Sequence, residues 1–129
     1  MKLTYKQIES LLNNQTVQNV LEKTTGVFGL NLYRVISKLQ LEIEPFNKQL
    51  QKIIDEYAQK DENGIPVRDI VNNQQSIKII VGKELEAANA VETLRSVEID
   101  IDVDLIEFKV EENPTITTKE LLSISPLLK

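Results

Sequence analysis

Apolar residues between Leu32 and Tyr57 alternate three- and four-residue spacings. Leu32, Leu39, Phe46 and Ile53 form one seven-residue ladder, and Ile36, Ile43, Leu50 and Tyr57 form a second. The two ladders lie on one face of a single helix, as a narrow stripe must if it is to stay turned toward a packing partner over many turns. At ~1.5 Å per residue the segment would be roughly 40 Å long, so it is expected to protrude from the body or to span it. Pro45 falls inside the seam, where it offers no backbone N–H and its ring crowds the Leu41 carbonyl. The apolar phase nevertheless holds from Ile43 through Phe46 to Leu50, which predicts one kinked helix rather than two. On the outer face, Lys38, Glu42, Glu44, Lys48, Lys52, Asp55 and Glu56 read as a solvated mixture of charge.

The flanking elements follow from start and stop signals. Thr4 and Gln7 have the spacing of a capping box and open a helix over 5–12 with Ile8, Leu11 and Leu12 on its apolar side. A second short helix is predicted over 16–23, with Val17, Val20 and Leu21 inward. Thr24-Thr25-Gly26 breaks that pattern, and the long helix is expected to begin between Val27 and Asn31. Asp61-Glu62-Asn63-Gly64, followed by Pro66, ends it in a hard turn. Residues 67–81 fit two states: Ile77, Ile79 and Val81 alternate as in a strand, while Ile77, Ile80 and Val81 also suit a helix.

From 83 to 95, Leu85, Ala88, Val91 and Leu94 predict a helix, and the alanines at 87, 88 and 90 would let it approach the seam closely. Residues 97–105 alternate apolar and acidic without exception, the strongest strand signal in the chain. The phase shifts at Leu105-Ile106, where a bulge or turn would restore one buried face. Thr117 and Glu120 form a second capping-box pattern and introduce a short helix with Leu121, Leu122 and Ile124 inward, and Leu127 and Leu128 are expected to dock on the body. Together these elements predict one α+β domain over 1–129, helical in 1–60 and mixed in 61–129. A long kinked helix carries shorter helices packed on it, and a small antiparallel hairpin or sheet lies near 97–110.

Composition narrows the chemistry. The 129 residues are 41% apolar, enough for one modest core. Twenty acidic residues against 15 basic ones leave a net charge of −5, which disfavours nonspecific binding to a phosphate backbone. With neither cysteine nor histidine, thiolate nucleophiles, Cys-ligated metals and the commonest neutral-pH base are excluded. Glu42 and Glu44, the acids closest to the seam, point to different helix sides and cannot face one substrate together. No catalytic residue, cofactor or metal is assigned, and an enzyme is not expected. Met1 to Lys6 turns polar at once and no run approaches membrane-spanning length, so a soluble protein made in a cytoplasm is expected.

Three features remain as candidate sites. The seam residues Leu32, Ile36, Leu39, Ile43, Phe46, Leu50, Ile53 and Tyr57 are candidates for binding a protein partner, with core packing as the alternative. Glu98, Asp100, Asp102 and Asp104 form an acidic face within a stretch, 97–112, that sets seven carboxylates against Lys109 alone, a net −6. Such a row can dock a basic partner or mimic nucleic-acid phosphates, and it also simply discourages edge-to-edge pairing. Asp100, Asp102 and Asp104 open as a calcium loop does, but Leu105 stands where that loop needs glycine. Gly26-Val27-Phe28-Gly29 has the G-x-x-G form of a nucleic-acid clamp, yet both central positions are apolar, which suits a turn tucking Phe28 into the core.

Met1-Lys2-Leu3-Thr4 opening a short helix, the run from Glu56 to Gly64, Val97-Glu98-Ile99-Asp100-Ile101 and the closing Thr117-Thr118-Lys119-Glu120-Leu121-Leu122 resemble a group of small uncharacterised bacteriophage and prophage proteins. The resemblance implies a phage origin and a gene of the kind found near virion genes, with no catalytic residues to carry over. The function expected is that of a non-catalytic accessory protein that binds protein, as a virion-associated or assembly component. Its partner would be a second copy or a larger phage assembly, with neither membrane nor nucleic acid involved. The alternative is a phage-encoded inhibitor of a host protein, using the acidic strand as a nucleic-acid mimic. Either would act in the cytoplasm of a bacterial host, the first with the virion as a further destination.

Overall fold

A hydroxyl with an amide three residues on starts the first helix. Thr4 Oγ1 accepts from the Gln7 N–H at 3.2 Å and Gln7 Oε1 accepts from the Thr4 N–H at 2.8 Å. Two donors that a helix start leaves free are thereby satisfied. The computed structural model, which describes residues 1–129, places this box between β1 (Lys2–Thr4) and α1 (Tyr5–Leu12). Asn14 Oδ1 then takes the Thr16 N–H at 2.9 Å and opens α2 (Gln15–Lys23). The chain is α+β, with a long helix and two small antiparallel sheets, and it divides into two compact units, Met1–Glu44 with Val97–Lys129 and Pro45–Ser96.

In the first unit, β1 pairs antiparallel with β4 (Glu98–Asp100), with Leu3 opposite Ile99. The strand is shorter than the alternation over 97–105 suggests because β1 offers it only three partners. Beyond them Ile101 N–H donates to the Met1 carbonyl, and the Met1 ammonium donates to the carbonyls of Ile101 and Val103 at 3.1 and 3.3 Å. The alternation persists in burial: Ile101 is buried and Val103 half-buried, while Asp100, Asp102 and Asp104 are exposed. At the expected phase shift Leu105 turns outward and Ile106 inward, and Ile106 bridges to Leu128 of the C-terminal segment.

The long helix α3 (Gly26–Tyr57) starts at the G-x-x-G sequence, one residue earlier than expected. Gly26 has φ +68°, the left-handed region where a side chain is strained. At Gly29 a Cβ would lie 3.1 Å from the Thr24 carbonyl carbon, a tight approach that a side chain would relieve only if the Thr24 backbone gave by a few tenths of an ångström. Phe28 is buried and meets Phe108 edge-to-face with centroids 5.2 Å apart. Its four residues are thus used for chain reversal and packing. Leu32, Val35, Ile36 and Leu39 join Ile8, Leu11, Val17, Val20, Ile101, Ile124 and Leu127 in one apolar core.

The unit closes with α5 (Thr118–Ser123), which packs on α2, and a 3-10 turn over Ser125–Leu127. The second capping box forms as expected: Thr117 Oγ1 accepts from the Glu120 N–H, and Glu120 Oε1 accepts from the Thr117 N–H at 3.0 Å. The same Oε1 receives Lys23 Nζ from α2 at 2.9 Å. The Thr117 N–H, and after it the Lys23 ammonium, hold the Glu120 carboxyl below the usual glutamate range. Ile124 and Leu127 are buried and Leu121 and Leu128 half-buried, whereas Leu122, expected inward, is exposed on the far side of the short helix.

The second unit begins at Pro45, which α3 passes without a break in its helical run. The helix ends at Tyr57, sooner than the turn at Asp61, because the chain goes extended to pair with a later segment. Gln59 N–H donates to the Lys78 carbonyl and Ile80 N–H to that of Tyr57. The hard turn itself is present, with Asp61 Oδ1 accepting from Asn63 and Ile65 N–H and Gly64 at φ +75°. The stretch with two possible states is a hairpin, β2 (Arg68–Val71) with β3 (Gln74–Ile77). Asn72 and Asn73 form its two-residue loop at φ +52° and +63°, the type I′ geometry that matches strand twist. In α4 (Glu84–Arg95), Ala87 is buried and Val91 and Leu94 half-buried, but Leu85 and Ala88, expected on that stripe, are exposed.

Candidate protein-binding surface

The structure divides the seam. Leu32, Ile36 and Leu39 are buried in the first unit's own core, and Phe46 is buried as well. These four, expected as contacts to a partner, are covered by this chain; for Leu32, Ile36 and Leu39 the reason is that the apolar faces of α1 and α2 need a surface to pack against and this part of the seam supplies it. Ile43, Leu50, Ile53 and Tyr57 are half-buried.

The open apolar surface of α3 lies on the opposite side. Leu30, Tyr33 and Leu41 are 57%, 51% and 70% exposed and, with Ser37, follow one another at steps of three and four residues. Such steps keep them on one helix face. They line a shallow groove of about 340 Å³ together with Arg34 and Lys38. From the sequence the outer face of this helix reads as mixed charge, and the stripe is not among the residues expected to bind. The signal was present: between Val27 and Ile43 apolar residues occur at too many helical positions for one seam to hold.

Arg34 also borders a second cleft in the same unit, about 490 Å³, between α3 and the 103–107 loop. Its floor is Val35 and Ile106, and Asp104, Leu105 and Glu107 stand on its rim. The acidic face is exposed throughout: Glu98 and Asp100 lie on β4, and Asp102 and Asp104 on the loop beyond it. Asp100 Oδ1 lies 3.4 Å from the Met1 ammonium. No group of three or more His, Cys, Asp or Glu side chains is placed to hold a metal ion. Ion pairs join Met1 to Asp100, Lys23 to Glu120 and Lys83 to Glu86, and Arg34, Lys38, Asp104 and Glu107 stand outside them. No helix is long and apolar enough to cross a membrane. Comparison with family models, curated proteins and solved structures yields no match to this chain.

Proposed function

We propose that this chain is a non-catalytic phage accessory protein that acts by binding protein, as a virion-associated or assembly component made in the cytoplasm of a bacterial host. The observation that carries the reading is the second apolar stripe of α3, Leu30, Tyr33 and Leu41, which faces solvent while Leu32, Ile36, Leu39 and Phe46 of the first stripe are buried. A helix that packs on a core needs one apolar face, and a second costs solubility unless something covers it. The phage setting comes from the resemblance of the chain's segments to small phage and prophage proteins. The lack of histidine and cysteine adds to the case for binding over catalysis.

The test is mass spectrometry of particles purified from cells carrying the encoding phage genome. The protein is expected in the particles or in assembly intermediates. Leu30→Asp with Leu41→Asp should remove it from them while its helical circular dichroism is unchanged. The exposed acidic row favours one other reading, an inhibitor of a host protein. That protein would be missing from particles, would co-purify with a host factor in a salt-sensitive way, and would lose binding on Asp102→Asn and Asp104→Asn rather than on the leucine changes.

A further inference from the structure

Resting on the protein-binding reading, we infer that the occupant of the α3 stripe is a second copy of this chain, docked so that the stripe of each copy meets the 104–107 loop of the other. The stripe is apolar and basic, with Leu30, Tyr33 and Leu41 beside Arg34 and Lys38. The loop across the neighbouring cleft is apolar and acidic, with Leu105 41% exposed beside Asp104 and Glu107. The two surfaces complement one another in charge and in apolar content, yet within one chain none of these four charged groups belongs to an ion pair. They are also contiguous, since Arg34 lines both the groove and the cleft.

Adjacent complementary patches are what an isologous interface uses: the stripe of each copy covers the loop of the other, so every contact is made twice and the assembly closes at two. Opposite charges flanking an apolar strip fix the register and exclude the pairing of stripe with stripe, which would set Arg34 and Lys38 against the same residues of the second copy. An amphipathic segment of some other protein would need the same acidic and apolar chemistry, but this chain already carries it one cleft away.

The test is sedimentation velocity of the full chain at about 100 µM, where an interface of standard size is populated. A dimer that weakens with added salt is expected. Arg34→Glu with Lys38→Glu should weaken it roughly tenfold or more, and Asp104→Lys with Glu107→Lys should do the same. All four positions are on the surface, and circular dichroism checks that each variant is folded. Mixing the two variants in equal amounts should rebuild a dimer containing one of each, because both of its stripe-to-loop contacts are then of opposite charge. A wild-type chain that stays monomeric overturns the inference, and so does a dimer indifferent to both reversals or a mixture that fails to pair. A monomer that still enters particles sinks the second copy alone and leaves the proposed function standing.

Discussion

At the scale of single residues, two buried polar side chains tie distant parts of the first unit together. Asn113 is buried, and its Oδ1 accepts the Thr25 N–H at 3.0 Å just ahead of α3. Asn113→Ala leaves that donor without a partner, and a loss of about 1–3 kcal/mol is expected in urea unfolding. Glu120 gives a prediction in pH. Its folded carboxyl titrates below the unfolded value, which is about 4.3 for glutamate, because the Thr117 N–H and the Lys23 ammonium favour the charged form. The stabilisation is therefore complete above the unfolded value and is lost as pH falls through the folded one. Across that acid window the unfolding midpoint of Glu120→Gln should change less with pH than that of the wild type, and parallel curves would refute the assignment. The capping half of this arrangement was legible because Thr117 and Glu120 stand three residues apart. The Lys23 and Thr25 contacts cross 97 and 88 positions, a distance over which no local pattern carries information.

Elements were legible wherever one repeat decided them. Capping boxes and 3.6-residue periodicity placed α1, α2, α4 and α5 to within a residue or so, since those signals act inside the element. The strand after Val97 was less so, because an alternating sequence states which faces a strand would have and not how many partners it will find. The hairpin at 68–77 was hidden for a related reason. Neither of its strands buries a full face, so there is little alternation to read, and the informative residues were the turn pair Asn72-Asn73. Asn73→Gly should retain the positive φ at lower cost and raise amide protection in β2 and β3, whereas Asn73→Val should abolish it. The two stripes of α3 give the sharpest contrast. Leu39 is fully buried and Leu41 is 70% exposed, although they are two residues apart on one helix. Leu39→Ala is expected to cost about 2–5 kcal/mol, and Leu41→Ala to stay within about 0.5 kcal/mol. Equal losses in thermal unfolding would contradict the assignment of one stripe to the core and the other to a partner.

For the whole molecule the decisive position is Pro45, where the two compact units divide and through which α3 runs unbroken. Proline donates no N–H, so the Leu41 carbonyl loses its partner four residues on, and a proline inside a helix costs roughly 3 kcal/mol against alanine. Part of that is offset because proline also restricts the unfolded chain. The side chain is exposed, so replacing it disturbs no core packing. Pro45→Ala should therefore raise the unfolding midpoint by the equivalent of about 1–2 kcal/mol. Hydrogen exchange should also show slow exchange at the new amide of position 45 and greater protection through 42–48. Helices on either side of an unmade bond can open separately, and restoring the bond couples them, so unfolding induced in one unit by Leu39→Ala should spread further into 45–57 when Pro45→Ala is present. If the double variant leaves exchange in 45–57 as it is in Leu39→Ala alone, α3 is not what transmits order between the units, and each is held by its own packing instead.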